Sequence, residues 1–163
     1  MKDKLNINIP VHTILYTIAP SNSGKSYFCN TQLVPKLKWD YPDLNIQYLS
    51  SDDIRRDLLG SNDIHKHDSE MLQISSQAFE YLFFKIKLLT SFPISADVII
   101  VDSTGLSGNF RESLSALAKE VNYNLIPIVF DYSDKSDYYS YTDDRTGITV
   151  IDRHLEKLSN IQF

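Results

Sequence analysis

At 163 residues the chain has the size of one ordinary domain, long enough to bury a sustaining core without staples, and its one cysteine, Cys29, excludes a disulfide framework. Lys and Arg number 16 against 21 Asp and Glu, a formal net charge of −5, which argues against a protein that holds nucleic acid mainly by long-range electrostatics and restricts any such contact to a local basic pocket. The N-terminus is polar and no apolar run approaches the roughly 18 residues of a membrane span, so a soluble protein of a reducing, cytoplasmic compartment without a membrane partner is expected.

Residues 1 to 10 form a short lead-in ended by Pro10, and a first strand is expected over roughly His12 to Ile18. It runs straight into Ala19-Pro-Ser-Asn-Ser-Gly-Lys-Ser26. Four residues separate Ala19 from Gly24, which is the P-loop spacing: Ser21, Asn22, Ser23 and Gly24 would turn backbone N–H groups towards a phosphate at the start of a helix. Lys25 would reach the β- and γ-phosphates of ATP as a point charge, and the Ser26 hydroxyl would hold magnesium, a hard cation that wants oxygen ligands. Ala19 stands where the stricter pattern has a glycine, so the loop must leave the strand without a φ > 0 residue there.

The following helix is expected from about Lys25 towards Lys36, with Pro35 marking a boundary or kink and Cys29 as a small core-facing residue. A turn at Trp39 to Asp43 leads to a second strand, Asn45 to Ser50. A short capped helix over Ser50 to Gly60, carrying Asp52, Asp53, Arg55 and Arg56, is stopped by its glycine. Ser61 to Asp68 reads as a polar, mobile loop, and His65 and His67 are spaced too closely for a helical metal pair. A long helix is expected from about Ser69 to Ser91, because Met71, Leu72, Ala78, Phe79, Leu82, Phe83, Ile86 and Leu89 recur at helical spacing. Asp97 to Asp102 is a near-continuous apolar run of the kind buried on both faces of a parallel sheet. A helix from about Asn109 to Val121 and a strand from Leu125 to Phe130 come next, with Pro127 placing that strand at an edge. A Ser/Asp/Tyr-rich stretch beyond Tyr132, then Asp143-Asp-Arg-Thr-Gly147, precede a last helix, Thr149 to Leu158.

Alternating strands and helices predict a single α/β domain over residues 1 to 163, a P-loop NTPase-type parallel sheet of four or five strands flanked by helices. Ligands of such sheets sit outside the carboxyl ends of the strands. That rule gathers the P-loop, Asp52, Asp102 and the segment around Arg145 on one edge. Asp102 is then placed like a Walker-B carboxylate, near a magnesium-bound water or orienting Arg55, with a turn-capping role as the alternative.

Assembled in this order, the blocks resemble the 5′-hydroxyl polynucleotide kinases of the P-loop phosphotransferase class, found in phage and bacterial end-healing enzymes. The matching blocks are Ala19 to Ser26, Ser51-Asp-Asp-Ile-Arg55, Val101-Asp-Ser-Thr-Gly105 with Asn109-Phe-Arg111, and Asp144-Arg-Thr-Gly147 before the helix Val150-Ile-Asp-Arg-His154, which is similar to the family's arginine-bearing lid and implies a small lid at about 141–149. The resemblance implies an ATP- and magnesium-dependent kinase of RNA or DNA 5′-hydroxyl ends in nucleic-acid repair, working beside a phosphatase or ligase. It implies that Asp52 is the general base, that Arg55 holds the acceptor's phosphate with Asp102 and Arg111 near the substrate, and that Arg145 closes on the transferring phosphate. Two positions depart from the family pattern: Gly105 replaces an expected asparagine, and the lid supplies no basic residue besides Arg145. The rivals are a P-loop kinase for a small-molecule hydroxyl (nucleoside, sugar or antibiotic) and a weakly catalytic nucleotide-binding partner.

Overall fold

The computed structural model describes residues 7–21, 23–60, 73–130 and 148–161. Its framework is a four-stranded, wholly parallel sheet of β1 (Thr13–Ile18), β2 (Ile46–Ser50), β3 (Val98–Asp102) and β4 (Asn124–Val129), in the order β2-β3-β1-β4. β3 and β1 are the central strands, and they are the two with unbroken buried runs, as a strand covered on both faces requires. β4 lies at an edge of this sheet, where Pro127 is tolerated because its missing donor spoils only one side of a ladder.

Alternation along the central strands divides the core in two. Ile14, Tyr16, Ile18, Ile99 and Val101 face one layer; Leu15, Val98 and Ile100 face the other. The second layer is closed by the helical segment after β1, which contributes Cys29, Leu33 and Leu37. That segment runs as α1 (Lys25–Phe28), a π-helical stretch Cys29–Leu33, and α2 (Val34–Asp40). Pro35, in the first turn of α2, cannot donate to the carbonyl four residues earlier and its ring crowds that carbonyl. The wider π turn, in which Val34 N–H reaches back to Cys29 O, absorbs the fault without breaking the axis. The sequence-predicted kink is therefore a π insertion, and the helix continues to Asp40 instead of closing at Lys36.

The first layer is closed by α3 (Ser51–Leu59), α4 (Ser75–Thr90), α5 (Gly108–Glu120) and α6 (Ile148–Ser159). α4 buries Ala78, Leu82, Ile86 and Leu89, the i, i+4, i+8, i+11 stripe expected of it, and α5 adds Phe110, Leu114, Leu117 and Ala118. Leu82, Ile86 and Leu114 are fully buried, each stabilising by about 1.5–3 kcal/mol relative to exposure. The amino-terminal part expected for α4, including Met71 and Leu72, and the histidine loop with His65 and His67, lie outside the described residues, as do Asn22 and the lid with Arg145. Among the described residues no helix is long and apolar enough to cross a membrane.

Candidate active site

β1 delivers the chain to the phosphate loop in a fixed position because the strand is tied to β3 beyond the ladder itself. Thr17 Oγ1 donates to Ser103 O (2.5 Å) and accepts from Ser103 N–H (3.1 Å), and Ala19 N–H donates to Thr104 O (2.9 Å). These bonds fasten the strand exit without the glycine that the stricter motif carries at position 19. Gly24 takes φ 81° as the N-cap of α1, a left-handed conformation that a Cβ disfavours. Lys25 follows, only 8% exposed, while Ser26 is exposed. The first-turn amides have no acceptor inside the helix, and Phe28 N–H to Gly24 O (2.9 Å) begins the ladder. Gly24, Lys25 and Ser26 thus stand together where β1 gives way to α1. Ser23 is buried.

Gly105 explains one departure from the family pattern. Its φ is 61°, and a Cβ built there would stand 2.4 Å from Thr17 O. An asparagine at this position would drive its Cβ into the backbone of the strand that carries the phosphate loop, so in this chain the site is built around glycine. Arg111 Nη1 donates to Gly105 O (2.9 Å), so the guanidinium braces the loop after β3. Its charge also offsets part of the rise that burial imposes on the Tyr16 phenol.

Asp102 ends β3 at 2% exposure and pairs in register with Ser50 at the end of β2. Its Oδ2 accepts a short hydrogen bond from the Tyr48 hydroxyl. Tyr48 in turn accepts from Asn30 Nδ2 (3.3 Å), and Asn30 donates to Ser26 O (2.8 Å). A chain of polar contacts therefore connects β3, β2 and the P-loop helix. Burial first, then the hydrogen bond and charge of Asp102, holds the Tyr48 phenol well above its ordinary range, so it remains a donor. Asp102 Oδ1 has no hydrogen-bond partner among the described residues, an expensive state for a buried carboxylate oxygen unless something else is to occupy it. Between Asp102 and Arg55 no direct hydrogen bond is found among the described residues; the hydrogen bonds of Arg55 go to Ser51 and Asp52 on its own helix. Cys29 is inert: burial, then the Asp102 charge, pushes its thiol up to about 12 against the opposing pull of Lys25.

α3 starts directly after β2, with Ser50 as its N-cap accepting from Asp53 N–H (3.3 Å). The cap is therefore Ser50 and not Asp52, which leaves the Asp52 carboxylate available. Asp52 and Arg55 stand one turn apart and meet at 2.8 Å, the carboxylate 46% exposed and the guanidinium 14%. Arg55 also lies 5.3 Å from the centre of the Phe79 ring on α4, a geometry that fixes its plane. Arg55 Nε is buried without a hydrogen-bond partner among the described residues. Arg56 pairs with Asp53 at 3.2 Å on the exposed side.

Among the residues predicted from sequence, the structure brings Lys25, Ser26 and Asp102 to one edge of the sheet with Asp52 and Arg55 beside them, and gives Arg111 a bracing role. Tyr48, Asn30, Phe79 and His154 were missed. His154, on α6, accepts a hydrogen bond from Ser21 N–H at 3.1 Å. Among the described residues no group of three His, Cys, Asp or Glu side chains could hold a metal ion by itself.

No protein-family model matches the sequence, and no curated protein sequence matches it either. Solved structures do. The APS kinase CysC of Mycobacterium tuberculosis, in complex with AMPPNP and APS, superposes with a TM-score of 0.55 at 15% identity, over 81% of this chain and 69% of that one. A gluconokinase from Sinorhizobium meliloti 1021 superposes with a TM-score of 0.54 at 14% identity, over 91% of this chain and 76% of that one. The chain has the P-loop NTPase fold. The likeness reaches P-loop kinases as a group and does not single out polynucleotide kinases.

Proposed function

We propose that the protein is an ATP-dependent P-loop phosphotransferase whose acceptor is the hydroxyl of a small molecule. The observation that carries this reading is the parallel register of β1, β3 and β2, with Tyr16 beside Val101 and Ser50 beside Asp102, which supports a P-loop after β1 and a carboxylate–arginine pair after β2 on one edge of the sheet. The two kinases of similar fold are named for small substrates, APS and gluconate, and one holds an ATP analogue. The acidic net charge of −5 suits a small acceptor better than a polyanion.

In the proposed reaction the acceptor oxygen attacks the γ-phosphorus, the bond to the β,γ-bridging oxygen breaks and ADP leaves. Asp52 takes the hydroxyl proton. Lys25 and the loop amides neutralise charge on the phosphates, in a place where burial strengthens their effect. Arg55 holds Asp52 in place and presents its remaining N–H groups to the acceptor. Magnesium fits the residues present, since the Ser26 hydroxyl and the unpartnered Asp102 Oδ1 are the hard oxygen donors it takes, directly or through water. When bound it would offset the negative charge of the transferring phosphate. Arg145 remains the candidate for a closing arginine.

A polynucleotide 5′-hydroxyl acceptor is the second reading, favoured by Arg55 lying against Phe79 beside the base, a combination that suits a nucleotide phosphate and its ring. Under that reading a phosphatase or ligase partner in end repair follows.

The test is transfer from γ-labelled ATP, with magnesium, to a panel of sugars, sugar acids, nucleosides and adenylyl sulfate beside oligonucleotides with 5′-hydroxyl or 5′-phosphate ends. Label in a small acceptor supports the first reading. Label confined to 5′-hydroxyl oligonucleotides replaces it with the second, and binding of ATP without label in any acceptor would favour a nucleotide-binding module.

A further inference from the structure

The amides of a phosphate loop are of two kinds, those spent on holding its shape and those left to the anion. Here Ala19 N–H is taken by Thr104 O (2.9 Å), Pro20 has no N–H, and Ser21 N–H is taken by Nδ1 of His154 (3.1 Å). The ascending half of the loop is therefore fastened by groups that lie far away in sequence. The amides of the descending half, at the start of α1, have no acceptor within the helix. The second fastening reaches across from α6 to the loop.

The imidazole suits this task. To accept at Nδ1 it must be neutral and carry its proton on Nε2. Burial, followed by Lys157 and Arg153 on its own helix and Lys25 on α1, pushes its pKa down to about 4, so the acceptor form prevails at neutral pH. A second histidine proton would turn the acceptor into a donor facing an amide N–H.

We propose that His154 is a positioning residue of the phosphate loop: through Ser21 N–H it holds the loop in the shape that presents the amides of Gly24, Lys25 and Ser26 to a triphosphate. The role deepens the nucleotide-binding part of the proposed function and rests on it. It also couples α6 to the occupied loop, since α6 is anchored in the core by Leu155 and Leu158 and cannot shift without releasing the Ser21 amide.

The side-chain chemistry gives a sharp test. An asparagine at 154 places Oδ1 where the imidazole has Nδ1, whereas glutamine places its oxygen one bond farther out and alanine has none. Binding of AMPPNP with magnesium is measured by calorimetry for wild type, Lys25→Ala, His154→Ala, His154→Gln and His154→Asn, with thermal unfolding of each. His154→Ala and His154→Gln should weaken binding about tenfold, the scale of one hydrogen bond, while His154→Asn stays within about threefold of wild type. In turnover assays the KM for ATP should rise in the same proportion, with kcat changed less than about threefold. Equal affinity of His154→Ala and wild type would overturn the proposal, and so would a His154→Asn variant as weak as His154→Ala, whatever their melting temperatures. A wild type that does not bind AMPPNP would overturn the nucleotide-site reading itself. That outcome is distinct from failure of the positioning role alone, in which wild type binds, Lys25→Ala does not, and His154 substitutions are silent.

Discussion

Asp102 ends β3 and Asp52 lies in the first turn of the helix that follows the neighbouring strand β2, yet the protein treats them in opposite ways. Asp102 is 2% exposed, and its Oδ2 is fixed by a tyrosine from the adjacent strand. The Asp52 side chain is 46% exposed and held by an arginine one turn along its own helix. The difference follows from the element that carries each residue. A group at the end of a central strand inherits its position from the sheet register and is rigid before any ligand arrives. A group in the first turn of a short helix relies on a local ion pair in partial contact with water, worth only a few tenths of a kcal/mol, and can yield to an entering substrate. In the proposed reaction the donor side is thus built as framework, and the acceptor side as an adjustable surface.

Substitutions should separate the two sides. The largest effect is expected at Asp52, the base of the proposed reaction, because removal of a positioned base costs about 10² to 10⁴ in rate. Asp52→Asn should lower kcat on that scale in steady-state assays, with the melting temperature nearly unchanged. A stability loss of several degrees at Asp52 would show that the acceptor side is framework too.

Next comes Gly105, whose added Cβ would meet Thr17 O at 2.4 Å in a positive-φ conformation. Gly105→Ala should destabilise by about 2 kcal/mol, roughly a 30-fold change in the folding equilibrium, seen as a lower denaturant midpoint. An unaltered midpoint would mean that β1 and the loop after β3 are not rigidly joined. Tyr48→Phe should have the smallest effect, about tenfold in kcat with an unchanged acceptor KM, because it removes one hydrogen bond from Asp102 and leaves the carboxylate in place. A rise in acceptor KM instead would move Tyr48 to the acceptor side.

The sheet was legible in the sequence because its signals are local and strong: apolar runs at β1 and β3, a proline at the edge strand, and a loop motif between strand and helix. The pairing of Asp52 with Arg55 was also within reach, since i and i+3 neighbours on a helix meet. Three features were not legible. The π turn before Pro35 depends on how the helix seats Cys29, Leu33 and Leu37 in the second core layer. Gly105 looked like a missing asparagine, and only the approach of Thr17 O shows why no side chain fits. His154 touches the phosphate loop across 133 residues of sequence; its helix belongs to the block that resembles a lid, but that resemblance does not single out the histidine or its contact with Ser21.

The most direct test of the division between a rigid donor side and an adjustable acceptor side is equilibrium binding of AMPPNP with magnesium to wild type, Lys25→Ala and Asp52→Asn. Lys25 belongs to the buried cradle and Asp52 to the other side. Binding by wild type and Asp52→Asn should agree within about threefold, while Lys25→Ala should bind at least about 100-fold more weakly. Equal losses in the two variants, or full binding by Lys25→Ala, would contradict the account.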